Sequence, residues 1–374
     1  LFMKREMYYK LLEWKNNPKK KPLIIYGSRQ VGKTYLINEF GKNNYEYVYY
    51  INFEFDVNAR KLFEGNLDIK TLLFQLSTYN TNTPIIEGKT LIFFDEAQKC
   101  PQVLTALKSF AIDNRFDVIA SGSMLGIITH EVSSFPVGYV EKLYMRPMSF
   151  KEFLWANNYS DEMINGVKEY YDKELPVPSV IHDKLSEIFL RYVVVGGMPE
   201  AVKAYINTSN LYNVLEVQKR IIDDYKDDIA KYSTKMMKEK VRECFESIPD
   251  QLAKDNKKFQ YKYVKSGGRA SEFEGAIEWL CLSGIASRLY RVEQINLPLN
   301  AYRSLTDFKF YMNDVGLCSA SQDIHFDDIQ RDNILLSNFK GGLTENYVYN
   351  QLTSNGLSLY YWTSGNQAEV DFIS

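Results

Sequence analysis

The apolar residues in the first third of the chain fall into short continuous runs separated by stretches of helical spacing. Leu23-Ile24-Ile25-Tyr26, entered through Lys20-Lys21-Pro22, has the length and continuity of a strand buried on both faces. Residues 47–53, 90–94 and 116–120 repeat that pattern, while 33–40, 69–79 and 103–110 have the spacing of helices. Strands alternating with helices predict βαβ units, a mostly parallel sheet and an α/β core over residues 1–148.

From Ser149 the texture changes. Residues 150–155, 184–195, 211–232 and 235–247 have helical periodicity with few strand signals between them, which predicts a helical region over 149–247. Residues 250–291 mix short helices with a strand at 285–292, the order of a winged helix assigned to 248–300. A further α/β segment covers 301–374. Within it, residues 343–352 are a predicted helix, and 360–363 and 368–373 are predicted strands.

Composition narrows the classes. Forty-five basic and forty-seven acidic side chains leave a net charge of −2, so any affinity for nucleic acid must come from a local patch. Cys100, Cys244, Cys281 and Cys318 lie far apart with no CxxC pair, which argues against both a disulfide framework and a zinc knuckle. His130, His182 and His325 are too scattered to suggest a metal cluster. No uncharged apolar run approaches the ~20 residues that cross a bilayer, and the opening LFMKREMYYK lacks the apolar core of a signal peptide. A soluble, reduced, cytoplasmic protein without a membrane partner is expected.

Gly27-Ser28-Arg29-Gln30-Val31-Gly32-Lys33-Thr34 matches G-x-x-x-x-G-K-[ST] between a predicted strand and a predicted helix, with Tyr35 next in line. Backbone N–H groups of such a loop form an anion nest, and the helix N-terminus adds partial positive charge. Lys33 is placed to bridge β- and γ-phosphates, and the Thr34 hydroxyl to ligate Mg²⁺. Leu91-Ile92-Phe93-Phe94-Asp95-Glu96-Ala97 is an apolar strand ending in adjacent carboxylates. Asp95 suits the magnesium shell, and Glu96 suits the polarisation of an attacking water. A glutamate dedicated to water favours hydrolysis over phosphoryl transfer to a substrate. The strand at 117–120 ends in Ser121-Gly122-Ser123, where either serine could touch the γ-phosphate or orient water. There is no N-K-x-D guanine-reading motif, since Asn256-Lys257-Lys258-Phe259 lacks its aspartate, and Leu282-Ser283-Gly284-Ile285 is not a transporter signature. ATP and ADP are the expected ligands.

The ordered set GSRQVGKT (27–34), FFDEAQ (93–98), ASGS (120–123), MRPMSFKEFL (145–154), VVGGMPEAV (194–202) and YKDDI (225–229) resembles the bacterial and archaeal AAA+-type predicted ATPases that carry a C-terminal domain of unknown function. The resemblance runs over essentially the whole sequence. It implies an ASCE P-loop core, a helical lid, a winged helix and a restriction-endonuclease-like C-terminal segment. Relatives usually read Gly-Arg before MRPMSF, where this chain has Gly138-Tyr139; Arg146 and Arg29 are the candidate substitutes for that arginine. An arginine finger is worth ~10³–10⁵ in rate, so its absence implies slow turnover. The resemblance also marks Glu345 and Asp371 as nuclease-like positions, with no E-x-K before Ser374; ordinary surface carboxylates on a vestigial fold are the other reading. Gly196–Pro199 fits a hinge that reads the nucleotide state and equally a helix cap followed by a proline start.

Lys254, Lys257, Lys258, Lys262, Lys265 and Arg269, interleaved with Phe259, Tyr261 and Tyr263, form a candidate phosphate-tracking patch. The adjoining helix from Ala270 carries Glu272, Glu274 and Glu278, which phosphate would repel, so sequence-specific duplex reading is disfavoured. Nucleic acid, an unidentified protein client and a second copy of the chain are the candidate partners. An ATP-driven engine, a slow nucleotide-dependent switch and an ATP-regulated nucleic-acid-binding protein are the functions carried forward.

Overall fold

A computed structural model describes residues 3–123, 135–232, 235–324, 326–327, 337–364 and 368–374; His130 and His325 lie outside them. The chain forms two compact units. One is Arg5–Met145 with Leu282–Gly284; the other is Arg146–Cys281 and Ile285–Ser374 with the first four residues.

In the first unit the short apolar runs become strands β1 (Leu23–Tyr26), β2 (Tyr47–Asn52), β3 (Thr90–Asp95) and β4 (Asp117–Gly122). A fifth strand, β5 (Glu141–Tyr144), completes the order β2-β3-β4-β1-β5, and every neighbouring pair is parallel. Parallel pairing needs both faces covered, and side chains alternate accordingly. Ile24, Ile92, Phe94, Val118 and Ala120 share one buried cluster with Leu72 and Leu76 of α3 (Ile69–Tyr79) and Val103, Leu107 and Phe110 of α4 (Gln102–Asp113). Leu23, Ile25, Leu91, Phe93 and Ile119 are equally buried and alternate with that set, so they belong to the opposite face. There α2 (Lys33–Asn44) approaches closely: a Cβ on its Gly41 would lie 2.7 Å from a Val48 methyl and 3.1 Å from Leu91. Ahead of the sheet, α1 (Glu6–Asn16) buries Met7, Leu11 and Trp14, one helical stripe. The resulting parallel α/β sheet has β4 inserted between the loop strand β1 and the acidic strand β3.

The second unit opens with helices: α5 (Phe150–Ala156), α6 (Asp161–Asp172), α7 (Ser179–Val195), α8 (Pro199–Thr208), α9 (Leu211–Tyr232), α10 (Lys235–Leu252) and α11 (Ala270–Leu282). Ser149 starts α5 with a capping box, its side chain accepting from Glu152 N–H while the Glu152 carboxylate accepts from Ser149 N–H. After these come β6 (Ala286–Val292), β7 (Arg303–Met312), α12 (Val315–Ala320), α13 (Ser337–Ser354), β8 (Tyr360–Thr363) and β9 (Glu369–Ile373). The strands form one sheet in the order β7-β6-β8-β9, with β6 antiparallel to β7 and parallel to β8. Strand β6 therefore shares one sheet with β7, β8 and β9, strands that sequence places across a boundary at residue 300. The buried stretch of β7 from Phe308 to Met312 supplies the pairing that joins them.

Gly196–Pro199 has the geometry of the cap-and-proline reading. Gly196 closes α7 at φ +71, and Pro199 occupies the first turn of α8, where its missing N–H has no intrahelical partner to lose. The last carbonyls of α7 would be orphaned in the interior. Gln218 Nε2 donates to Val194 O and Val195 O at 2.7 and 3.0 Å, and Ser319 Oγ donates to Val193 O at 3.0 Å. Asp314 caps α12 by accepting from Leu317 N–H at 2.9 Å, and accepts from Gly197 N–H at 2.6 Å. Burial pushes its carboxyl up to about 6 against the pull of the backbone donors at Gly197, Leu317 and Gly316.

Two outcomes are expected. A Cβ on Gly197 would stand 2.0 Å from the Met148 carbonyl oxygen, backbone that has nowhere to go, whereas one on Gly166 in α6 meets nothing within 4 Å. Gly197→Ala should lower unfolding stability by about 3 kcal/mol, while Gly166→Ala should be neutral or gain up to about 1 kcal/mol; near-equal urea midpoints would contradict this packing. Because the folded-state pKa of Asp314 lies above its unfolded value, its contribution is full at low pH and is lost as pH rises through about 6. The stability advantage of wild type over Asp314→Asn should shrink between pH 4.5 and 7 by about 2 kcal/mol. An advantage that grows over that range would contradict the assignment.

Candidate functional site

Parallel strands present all their C-terminal ends at one edge, which is where open α/β sheets bind ligands. Strand β1 runs into the 27–34 loop there, β3 ends in Asp95, and β4 ends beside Ser121 and Ser123. Gly27 adopts φ +150, and any Cβ would lie 2.1 Å from the Met145 carbonyl oxygen, so the close approach of the backbone after β5 requires glycine. Gln30 and Gly32 also take positive φ, 63° and 91°, and Gly32 is the N-cap of α2. Such alternation turns successive N–H groups toward a common centre. Ser28 and Val31 are buried, Arg29 and Gln30 half-buried, and Tyr35 is half-exposed on the first turn of α2. Arg5, at the N-cap of α1, donates from Nη1 to the Val31 carbonyl at 2.9 Å and so ties the loop from behind.

Lys33 is buried at the start of α2, and its ammonium donates to the carbonyls of Gly27 at 2.9 Å and Ser28 at 2.7 Å. Burial lowers its pKa to about 8; Glu96 and Asp95 act against that, and Arg29 adds to it. The ammonium therefore has a strong electrostatic use for any anion that enters the loop.

Asp95 collects donors from three elements. Thr34 Oγ1 of α2 donates to Oδ2 at 2.8 Å; Tyr50 OH and Asn52 Nδ2 of β2 donate to the same oxygen at 3.1 and 3.3 Å. Ser121 Oγ of β4 donates to Oδ1, as does Glu96 N–H at 3.0 Å. Glu96 stands beside it in a left-handed conformation, φ 52°. Burial and the neighbouring Asp95 push its carboxyl above the ordinary glutamate range, opposed by Lys33 and by Gln98. Gln98 Nε2 donates to Glu96 Oε2 and reaches Ser123 Oγ at 3.4 Å. The two serines thus separate: Ser121 faces Asp95, and Ser123 faces the Gln98 amide.

Lys33, Thr34, Asp95, Glu96, Ser121 and Ser123 are accordingly assembled at one sheet edge. Arg146 is assigned to the other compact unit. Arg5, Tyr50, Asn52 and Gln98 are the contributors that sequence reasoning missed. Gln98 follows two residues after Glu96 and was legible in principle, whereas nothing in the sequence ties Arg5 to Val31. Thr34 and Asp95 offer hard oxygen donors side by side, the chemistry that suits Mg²⁺.

In the second unit Glu345 of α13 and Asp371 of β9 are brought together, both reaching the ammonium of Lys309 on β7. The basic patch is largely committed internally. Lys257 pairs with Glu345 at 2.8 Å, Lys258 with Asp307 at 2.6 Å and Lys265 with Glu243 at 3.6 Å. Phe259 is buried and stacked on Phe308. Lys254 and Lys262 both lie over the Tyr263 ring. Glu274 and Glu278 of α11 pair with Arg288. Among the described residues no helix is long and apolar enough to cross a membrane.

Comparison with known proteins follows the same division. A family model described as an AAA domain matches residues 19–154, and one described as a domain of unknown function (DUF8612) matches residues 186–328. An uncharacterized protein of Methanocaldococcus jannaschii is 25% identical over 363 residues, 94% of this chain and 71% of that protein. Among solved structures, a Walker-type ATPase of Pyrococcus abyssi is similar at a TM-score of 0.49 and 14% identity, covering 86% of this chain and 96% of that one. AMPPCP-bound DnaA from Aquifex aeolicus is similar at 0.33 and 13%, covering 76% and 93%.

If Asp95 is the acceptor on which the edge is built, removing it strands buried donors, whereas removing one donor does not. Asp95→Ala should cost about 3 kcal/mol and Ser121→Ala about 1 kcal/mol in chemical denaturation. Equal losses would contradict the arrangement.

Proposed function

We propose that this chain binds ATP with Mg²⁺ and hydrolyses it to ADP and phosphate, and that the cycle acts through residues 149–247 on a client yet to be identified. The observation that carries the reading is the meeting of an ammonium, a hydroxyl–carboxylate pair and a second carboxylate, raised above the ordinary glutamate range by burial, at the tips of β1, β3 and β4, with the 27–34 loop among them. In this reading the N–H groups of residues 27–34 hold the β-phosphate, and Lys33 exchanges the Gly27 and Ser28 carbonyls for β- and γ-phosphate oxygens. Thr34 and Asp95 would hold Mg²⁺, which would supply charge neutralisation to the phosphate oxygens. Glu96 orients water toward the γ-phosphorus and takes its proton on the carboxylate as the bond to the β,γ-bridging oxygen breaks. Its raised proton affinity suits that task, since a carboxylate closer to neutral pH is the better acceptor. Ser121 keeps Asp95 in register, and Ser123 with Gln98 fixes the Glu96 side chain.

Glu96→Gln should retain nucleotide and lose about 10²–10⁴ in phosphate release, whereas Lys33→Ala should lose nucleotide itself. Wild type that binds nucleotide yet releases no phosphate above buffer would replace hydrolysis by a nucleotide-held switch. Wild type and Glu96→Gln turning over equally would remove Glu96 from the reaction.

A further inference from the structure

The second unit holds a charge cluster that the nucleotide site does not use. Lys309 projects from β7 into the interior, 2% exposed, and its ammonium meets three carboxylates from two other elements. Glu345 Oε1 of α13 lies at 2.5 Å, Glu369 Oε1 of β9 at 2.5 Å and Asp371 Oδ1 of β9 at 3.0 Å. Glu345 is itself buried; it also accepts from Tyr311 OH, and its other oxygen lies 2.8 Å from Lys257 Nζ. Lys309 and Glu369 of this cluster line a cleft of about 700 Å³ together with Lys258, Arg291, Asp307, Tyr361 and Thr363.

The stoichiometry is informative. An ammonium has three N–H donors and no acceptor, and here each donor has its own carboxylate oxygen. Burial opposes charge on a lysine, yet Glu345 and Glu369 together hold Lys309 above the ordinary lysine range. Three hard anionic oxygens arranged around one point are also what a Mg²⁺- or Mn²⁺-class ion takes from a protein. Among the described residues, however, no set of acidic, His or Cys side chains is arranged to hold a metal. A divalent ion entering beside the ammonium would meet a cation about 3 Å away, a repulsion that low local dielectric makes severe. With the ammonium gone, Lys257 would still pair with Glu345, and an incoming divalent ion would offset the remaining negative charge of the three carboxylates.

We propose that Glu345, Glu369 and Asp371 form a cation site whose occupant is the chain's own Lys309, so that this cleft excludes divalent metal while the lysine is present and takes one when it is removed. The lysine is thus the element that decides whether the cleft is a metal centre. The carboxylates are neither idle surface charges nor, with Lys309 in place, metal ligands.

The test uses the full chain without nucleotide, in chelator-treated buffer, with Mn²⁺ as the probe. Thermal unfolding and Mn²⁺ electron paramagnetic resonance are followed for wild type, Lys309→Ala and Lys309→Ala combined with Asp371→Asn. Lys309→Ala should melt below wild type without metal and gain about 5 °C or more with saturating Mn²⁺. It should bind one more Mn²⁺ than wild type, and Asp371→Asn should abolish that gain. Lys309→Gln, whose amide keeps two donors for the carboxylates, provides the same comparison should the alanine variant fail to fold. The proposal is overturned if wild type takes a Mn²⁺ that an added single variant, Asp371→Asn, loses, or if neither Lys309 variant gains a Mn²⁺ over wild type, whether folded or not.

Discussion

Asp95 is the acceptor that makes the sheet edge a site. A carboxylate that is 1% exposed at the end of a fully buried strand is sustainable only if its oxygens are well supplied with donors. It receives them from the helix after the loop, from β2, from β4 and from its own following peptide. Those donors are placed by one helix, two strands and the turn that follows β3. The same contacts that satisfy Asp95 therefore fix Thr34 beside it and Ser121 across from it, and set where Glu96 emerges. Lys33 is held in a complementary way: its ammonium donates to the carbonyls of its own loop.

Much of this was legible because it depends on local pattern. The runs at Leu23–Tyr26 and Thr90–Asp95 are continuous apolar stretches of strand length, each followed at once by chemistry-bearing residues, so the strand tips and the site residues were read together. Glu141–Tyr144 was not legible: four half-buried or exposed residues at a sheet edge carry no alternation strong enough to stand out. Arg303–Met312 was hidden by its polar first half, although burial sets in at Phe308. Arg5 on Val31 and Asn52 on Asp95 are contacts between distant parts of the chain, and no spacing rule points to them.

The second unit shows why charge read along a sequence overstates free surface. Lys257, Lys258 and Lys265 look like a phosphate-tracking stripe beside an acidic helix, yet each meets a carboxylate from elsewhere in the unit. Phe259 and Tyr261, read as interleaved stacking groups, instead belong to a cluster of rings with Phe308. Asp371 was read as a strand carboxylate beside Glu345, and its meaning changes once Lys309 is seen to stand between them. Sequence order separates these groups by dozens of positions, and only the pairing of β6 with both β7 and β8 brings them to one place.

The central claim is that the loop at residues 27–34, Lys33 and the Thr34–Asp95 pair together hold a nucleoside triphosphate tail with its magnesium. Calorimetric titration of the folded chain with Mg²⁺–ADP tests it most directly. One site per chain, weakened at least a hundredfold when Mg²⁺ is chelated or Asp95 is replaced by alanine in protein that remains folded, is the result this account predicts. No heat from Mg²⁺–ADP or Mg²⁺–ATP with folded wild type would contradict it.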